Sequence, residues 1–424
     1  MRERLPEAPP TTGDLPAEPL SHSLKQRHLT MLGLGGVIGA GLFVGSGAGI
    51  GIAGPAIICS YLLAGVLAML VMRALGEMSA AMPASGSFSV YAERALGRWA
   101  GFSAGWLYWF LLVVVLAVEA TGAAKIANGW VPAVDQWIWV LLFMVVFTVS
   151  NLAAVKNFGE FEFWFAALKV GAIVLFLVLG TLAIFGVLPD TDPVGMANLT
   201  GHGGFFPEGF GGVVAGMLAV IFAFGGLEVV TIAAAESDDP ARSVSRAVRS
   251  AVWRILFFYV GSMVVIVTLL PWDSLEPGQS PYVAVLDSIG IPAAGQIMNI
   301  VVFVALLSAL NANLYGSSRM VFSLAERGEA PKGLLKVSGG GVPRRAVFAS
   351  VAFGFVSVVL NLLWPDTIFL YMLNAVGAVL LFVWALIAVS QLKLRRRIER
   401  DMPCLLYTRD RPGPRWPGWR RSWS

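Results

Sequence analysis

Charge, cysteine and histidine are all scarce in this chain. Of its 424 residues only 13% are charged and 57% are hydrophobic, whereas an ordinary soluble domain carries about 25% charged residues. A chain bathed in water on every side is therefore excluded. Two cysteines, Cys59 and Cys404, give neither a disulfide framework nor a metal-ligand spacing. The histidines, His22, His28 and His202, lie far apart and form no cluster. Neither a phosphate-binding loop nor a nucleophile–base pair is found, so the sequence predicts no enzyme, no ATP hydrolysis and no cofactor. The net charge of +4 does not argue for nucleic acid, because the basic residues sit between apolar segments. No short apolar stretch with a small-residue cleavage site opens the chain, so the first span itself reads as the insertion signal.

Long apolar runs are what the chain has instead, with a mean hydropathy of +0.74. Windows of about 20 apolar residues, the length a helix needs to cross lipid, fall near 29–50, 54–81, 97–125, 134–154, 160–187, 210–235, 250–271, 293–323, 346–364 and 367–391. The reading is an all-α integral membrane protein with about ten spans, its main partner the lipid bilayer. The eighth span is expected to run past the membrane. Basic residues sort to one side of these windows: Arg73, Arg94 and Arg98, then Arg242, Arg246 and Arg249, then Arg327, Lys332, Lys336, Arg344 and Arg345, then Lys393 to Arg400. The opposite segments carry Asp135, Asp190, Asp192, Glu208, Asp273, Glu276 and Asp366. By the excess of Lys and Arg in cytoplasmic loops, both termini face the cytoplasm. Residues 1–24, dotted with proline, read as a flexible tail. Residues 25–400 form the core, with 29–187 and 210–391 as its two halves, and 401–424 is a second tail.

The loop after the sixth window places Asp239 as an N-cap and Pro240 at the first helical position. Arg242, Arg246 and Arg249 then share one face of the following helix, read first as a solvated topology signal and second as a gating contact.

Two of the windows are broken by glycine. The first contains Gly33, Gly35, Gly36, Gly39, Gly41, Gly45 and Gly47; the second, five spans later, contains Gly225 and Gly226 after Phe222, Ala223 and Phe224. Each glycine costs a helix about 1 kcal/mol against alanine. Lipid offers a freed backbone group no partner, so an unwound helix persists only where it lines a cavity in protein. Matching breaks in two halves point to a transporter's substrate site. Close helix packing through small residues is the plainer explanation of the first run.

Several stretches resemble the amino acid–polyamine–organocation superfamily, within it the bacterial amino acid permeases. They are Gly33–Gly47; Gly76, Glu77, Met78, Ser79 with Pro83 and Gly86; Gly159–Phe165; Phe222–Glu228; and Leu307–Asn311 with Ser318, Arg319 and Met320. The segments 98–109, 230–237 and 388–392 are most similar to γ-aminobutyrate permeases. The resemblance runs from about residue 24 to 400. It implies two inverted five-helix repeats, the first and sixth helices unwound at mid-depth. It also implies import of a small amino acid, γ-aminobutyrate or a related one, by proton symport with alternating access in the bacterial inner membrane. Two departures stand out. Ala40 occupies a position where the family usually has Thr. The family usually has twelve spans, yet the Arg-, Pro- and Trp-rich residues after Arg400 hold no apolar run, which reads as a truncation or frame change. A non-transporting amino acid sensor and an inactive truncated permease therefore stay open, although a sensor usually needs a longer signalling extension.

In the transporter reading, N–H groups of Gly39, Ala40 and Gly41 hold a substrate carboxylate at the positive end of the following half-helix. Carbonyls near Val37 and Ile38 accept from its ammonium. Phe222, Ala223, Phe224 and Gly225 sit opposite, with Phe222, or else Phe224, closing over the substrate; a core- or lipid-facing role is the bland reading for both rings. Ionisable groups within spans are functional candidates by default. Glu228 carries a proton or ties down unwound backbone; Glu119, followed by the small residues Ala120–Ala124, faces the bundle and carries a proton or makes a helix–helix hydrogen bond. Lys169 lies seven residues beyond Glu162, about 10 Å deeper, and either snorkels or, as the resemblance implies, stands in for sodium with Ser308 as its partner. Desolvation disfavours charge on any such group, which suits proton carriage. Trp384 reads as an interface anchor without a role. The sequence fixes neither stoichiometry nor oligomeric state.

Overall fold

The structure, a computed structural model, describes residues 38–81, 87–153, 158–189, 192–228, 240–275, 278–338 and 342–401. Helices and turns make up the described residues, with no strand among them. In chain order the helices are α1 (Ala40–Phe43), α2 (Gly45–Ala53), α3 (Ile57–Ala81), α4 (Ser87–Leu96), α5 (Arg98–Trp130), α6 (Gln136–Ala153) and α7 (Phe158–Ile184). After a single turn at Ala197–Thr200 come α8 (Gly209–Val220), α9 (Pro240–Leu269), α10 (Pro281–Ser288), α11 (Ala294–Glu326), α12 (Arg344–Leu363) and α13 (Ile368–Asp401).

Every window expected to cross lipid overlaps one of these helices. Among the described residues six helical stretches are long and apolar enough to span a membrane, and α6, α8 and the second half of α9 are shorter apolar helices. The first of the six, 40–79, is 40 residues long, about 60 Å at helical rise and twice the ~30 Å of a hydrocarbon core. It therefore holds two crossings. The chain turns between them at Gly54–Ala56, a 3₁₀ turn with Pro55 at its start. The helix that follows the sixth window includes Pro240; the expected cap Asp239, the Arg242, Arg246 and Arg249 side chains, and the tail residues 1–24 and 402–424 lie outside the described residues.

The bundle is organised around α5. Two-thirds (67%) of its most apolar window is buried, against 28% for α7, so α5 is central and α7 presents much of its surface to lipid. Helices α4, α6, α11, α12 and α13 all pack against α5. Helix α11, 33 residues long, is about 50 Å by its rise and outruns the hydrocarbon core as expected. Burial within this bundle includes four ionisable side chains: Glu119 on α5, Glu162 and Lys169 on α7, and Glu228 just beyond α8.

Candidate functional site

The first glycine-rich window is not one continuous helix. Helix α1 is a single turn, and Val44, at φ −121°, interrupts the ladder before α2 resumes. The N–H of Ala40, at the start of α1, donates to both carboxylate oxygens of Glu119, each at 3.1 Å. An anion at a helix start meets unpaired N–H groups and the positive dipole end. The carboxylate that occupies this position is the protein's own. A Cβ on Gly39 would lie 2.5 Å from Glu119 Oε1, so glycine is what lets Glu119 approach.

The second window behaves differently. Regular α8 ends at Val220, a 3₁₀ turn covers Ile221–Phe224, and Gly225 is extended at φ −63°, ψ 144°. Gly226 follows at φ +97°, a conformation that glycine adopts without strain. The Phe222 carbonyl accepts from Gly225 N–H at 2.9 Å. The Ala223 carbonyl accepts from the Tyr259 hydroxyl of α9 at 2.8 Å. Glu228 reaches back to accept from Gly226 N–H at 2.9 Å. Its other oxygen accepts from the indole N–H of Trp384 on α13.

The two interruptions touch. A Cβ on Gly41 would lie 2.8 Å from Ala223 Cα and 2.9 Å from a ring carbon of Phe222. Only a residue without a side chain allows backbone to meet backbone there. Phe222 therefore covers the first interruption. Phe224 does not: its ring packs against Tyr61 and Tyr259 at centroid distances of 6.1 and 5.2 Å, inside an aromatic cluster.

Beside Glu119 lies a second polar group of atoms. Lys169 is fully buried, and its Nζ is 3.9 Å from Glu162 Oε1. The other oxygen of Glu162 accepts from Ser308 Oγ on α11 at 3.0 Å. Lys169 acts electrostatically on both Glu119 and Glu162. One buried lysine thus faces two buried carboxyl groups, Ser308 reaching it through Glu162.

Of the residues singled out from sequence, the structure brings together Gly39, Ala40, Gly41, Glu119, Phe222 and Ala223, with Lys169 and Ser308 alongside. Ile38 is buried at the start of the same segment. Gly225 and Glu228 hold the far side of the second interruption, and Val37 lies outside the described residues. Two expectations need correcting, and for Phe224 the plainer of the two readings holds. Glu162, used as a depth marker, is 1% exposed and is the partner of Lys169. Trp384 is no interface anchor: it is 1% exposed and bonded to Glu228. Phe224 belongs to the core. The i, i+7 spacing of Glu162 and Lys169 puts both on one helix face, a signal that was available; nothing in the sequence connects Tyr259 to Ala223.

Beyond Val44, on the side of the acidic loops, a cavity of about 20 Å³ is bordered by Thr121, Lys125, Gln136, Asp366 and Phe369. It has room for about one water molecule. Among the described residues no three His, Cys, Asp or Glu side chains are placed to share a metal ion.

The chain matches the amino acid permease family over residues 28–406. It is 52% identical to the gamma-aminobutyric acid permease of Bacillus subtilis across 384 residues, which cover 91% of this chain and 82% of the relative. It is 51% identical to the aromatic amino acid transport protein AroP of Corynebacterium glutamicum, covering 91% and 84%. The gamma-aminobutyric acid permease of Escherichia coli is 46% identical, covering 90% and 82%. With a family match over residues 28–406 and relatives of this similarity over nine-tenths of its length, the chain belongs to the amino acid permease family.

Proposed function

We propose that this permease imports a small amino acid, γ-aminobutyrate or a related one, by proton symport with alternating access. In this reading its ten helices form two inverted five-helix repeats with unwound first and sixth members. Both termini face the cytoplasm of a bacterial inner membrane, as the sorting of basic residues favours. The substrate sits between the two interruptions: its carboxylate at Gly39–Gly41, its ammonium on carbonyls of both segments, Phe222 above it.

The observation that carries the coupling is the hydrogen bonding of Ala40 N–H to the carboxylate of Glu119. A substrate carboxylate at the same donors meets the charge of Glu119 at close range, where like charges repel strongly in a dry interior. A proton on Glu119 removes that charge and turns the group from a pure acceptor into a donor. Proton and substrate therefore favour each other at one place, which is the linkage a symporter requires. Lys169 and Glu162 supply a neighbouring pair through which the proton can pass onward. The small cavity beyond Val44 is consistent with a state closed toward the acidic side. Relatives named for γ-aminobutyrate and for aromatic amino acids match at nearly equal identity, so side-chain size is tested directly.

Labelled γ-aminobutyrate and phenylalanine are offered to proteoliposomes holding the full chain, with and without an inwardly directed proton gradient. Accumulation of one substrate above equilibrium only under the gradient is the expected result. Uptake indifferent to the gradient refutes symport, and binding without uptake refutes transport in favour of a sensor or an inactive permease.

A further inference from the structure

We infer that the basic end of the bundle carries a binding groove for one anionic phospholipid, formed between α5, α11, α12 and the turn at Lys332–Leu335. The groove has a cavity volume of about 650 Å³, within the ~300–1,000 Å³ typical of small-molecule sites. Its walls include Trp106, Trp109, Leu334, Ala349 and Phe353, with Arg345 at the mouth.

The wall is apolar by construction. Trp106 directs its indole N–H to the Glu329 carbonyl at 3.1 Å, and Trp109 directs its own to Ser350 Oγ at 3.1 Å. Both polar ring atoms are thus satisfied inside the protein. The rings interlock edge to face, Trp106 on Trp109 at 5.3 Å and Trp109 on Phe353 at 5.4 Å. Trp106 lies eight residues along α5 from Arg98, and Phe353 eight along α12 from Arg345. Each stretch is about 12 Å at helical rise. The groove therefore runs from the membrane edge down to acyl-chain depth.

The mouth is cationic. Arg345 is exposed and gives one of its five donors to the Gly333 carbonyl at 3.3 Å, which fixes the guanidinium at the rim. Exposed Lys332 and Arg344 stand on the same two segments. The nearby acid, Glu329, is 4% exposed and paired with Arg327 at 3.0 Å, so it does not cancel the rim. An apolar trough ending in a fixed guanidinium suits an acyl chain below a phosphate-bearing headgroup, and arginine is well shaped for phosphate. The tail at 402–424 is a poorer occupant: it carries Arg409, Arg411, Arg415, Arg420 and Arg421 against a single acid, Asp410, the same sign as the rim.

The test is native mass spectrometry of the full-length, detergent-purified protein titrated with phosphatidylglycerol, with phosphatidylcholine of equal chain length, and with free glycerol phosphate. One phosphatidylglycerol is retained with about five-fold preference over phosphatidylcholine, the size of one cation–anionic-lipid contact at a membrane surface, and glycerol phosphate is not retained. Arg345→Gln, a change at an exposed residue, equalises the two lipids. Ala349→Trp fills the trough and lowers retention of both. Equal retention of the two lipids by the unmodified protein overturns the inference, and so does retention unmoved by either variant. A change in the number of subunits per particle with Ala349→Trp also overturns it, because the groove would then be a contact between copies.

Discussion

The two interruptions solve one problem, buried backbone groups outside regular helix, by different means. The first is closed from outside by Glu119, a titratable group on another helix that accepts from Ala40 N–H. The second is closed by the Tyr259 hydroxyl and by Glu228, itself held by Trp384 and by the neighbouring Gly226 N–H. Under the proposed coupling the first is a junction that a proton can loosen, and the second is a braced frame. Similar glycine-rich sequence produces both, so what differs is the partner supplied by the rest of the bundle.

That comparison fails or sharpens on four measurements. The largest effect is expected from Gly41→Val, which drives a branched side chain into Ala223 backbone. Uptake is abolished while membrane insertion persists, and wild-type uptake would show that the interruptions need not touch. Next is Lys169→Met, which leaves Glu162 buried without its cation. Breaking a buried pair costs about 3–5 kcal/mol, seen as a lower Tm, and the pH dependence of uptake is lost. Adding Glu162→Gln restores most of the stability but not the pH dependence; a double variant no better than the single one removes the pairing argument.

Third, Glu119→Gln keeps an acceptor for Ala40 N–H but no titrating group. Uptake then loses its response to a proton gradient while the Tm moves little, and a retained wild-type pH profile assigns the coupling elsewhere. The smallest effect belongs to the braced side. Trp384→Phe and Tyr259→Phe each remove one hydrogen bond to a buried acceptor, about 1–3 kcal/mol, with the pH profile unchanged. A shifted pH profile in either variant dissolves the distinction between junction and frame.

Much of the fold was legible because bilayer thickness dictates helix length, and every apolar window landed on a helix. Glycine was less informative about winding: Gly45, Gly47, Gly49 and Gly51 all lie within helix α2, whereas Gly225 and Gly226 follow the end of a 3₁₀ turn. What could not be read was how deep a residue sits and which way it faces. Counting inward from Glu162 assumed that an acid marks water, but it is buried in the bundle, one oxygen accepting from Ser308 and the other facing Lys169 at 3.9 Å. The preference of tryptophan for membrane interfaces misplaced Trp384, because nothing on α13 reveals that Glu228 lies opposite. Phe222 and Phe224 stand two residues apart, and only the 3₁₀ winding decides which of them meets Gly41 and which enters the cluster with Tyr61.

The long final helix has one more implication. Along its 34 residues α13 brings Leu373 against Gly45 of α2, fastens Trp384 to Glu228, and ties Gln391 to Glu77 of α3 at 2.8 Å. Trp384 and Gln391 are about 10 Å apart along the axis. A stiff rod stitched at several heights transmits rotation rather than absorbing it. Tilting α3 at the basic edge would tug the indole at mid-height, and a shift at mid-height would be felt at the rim.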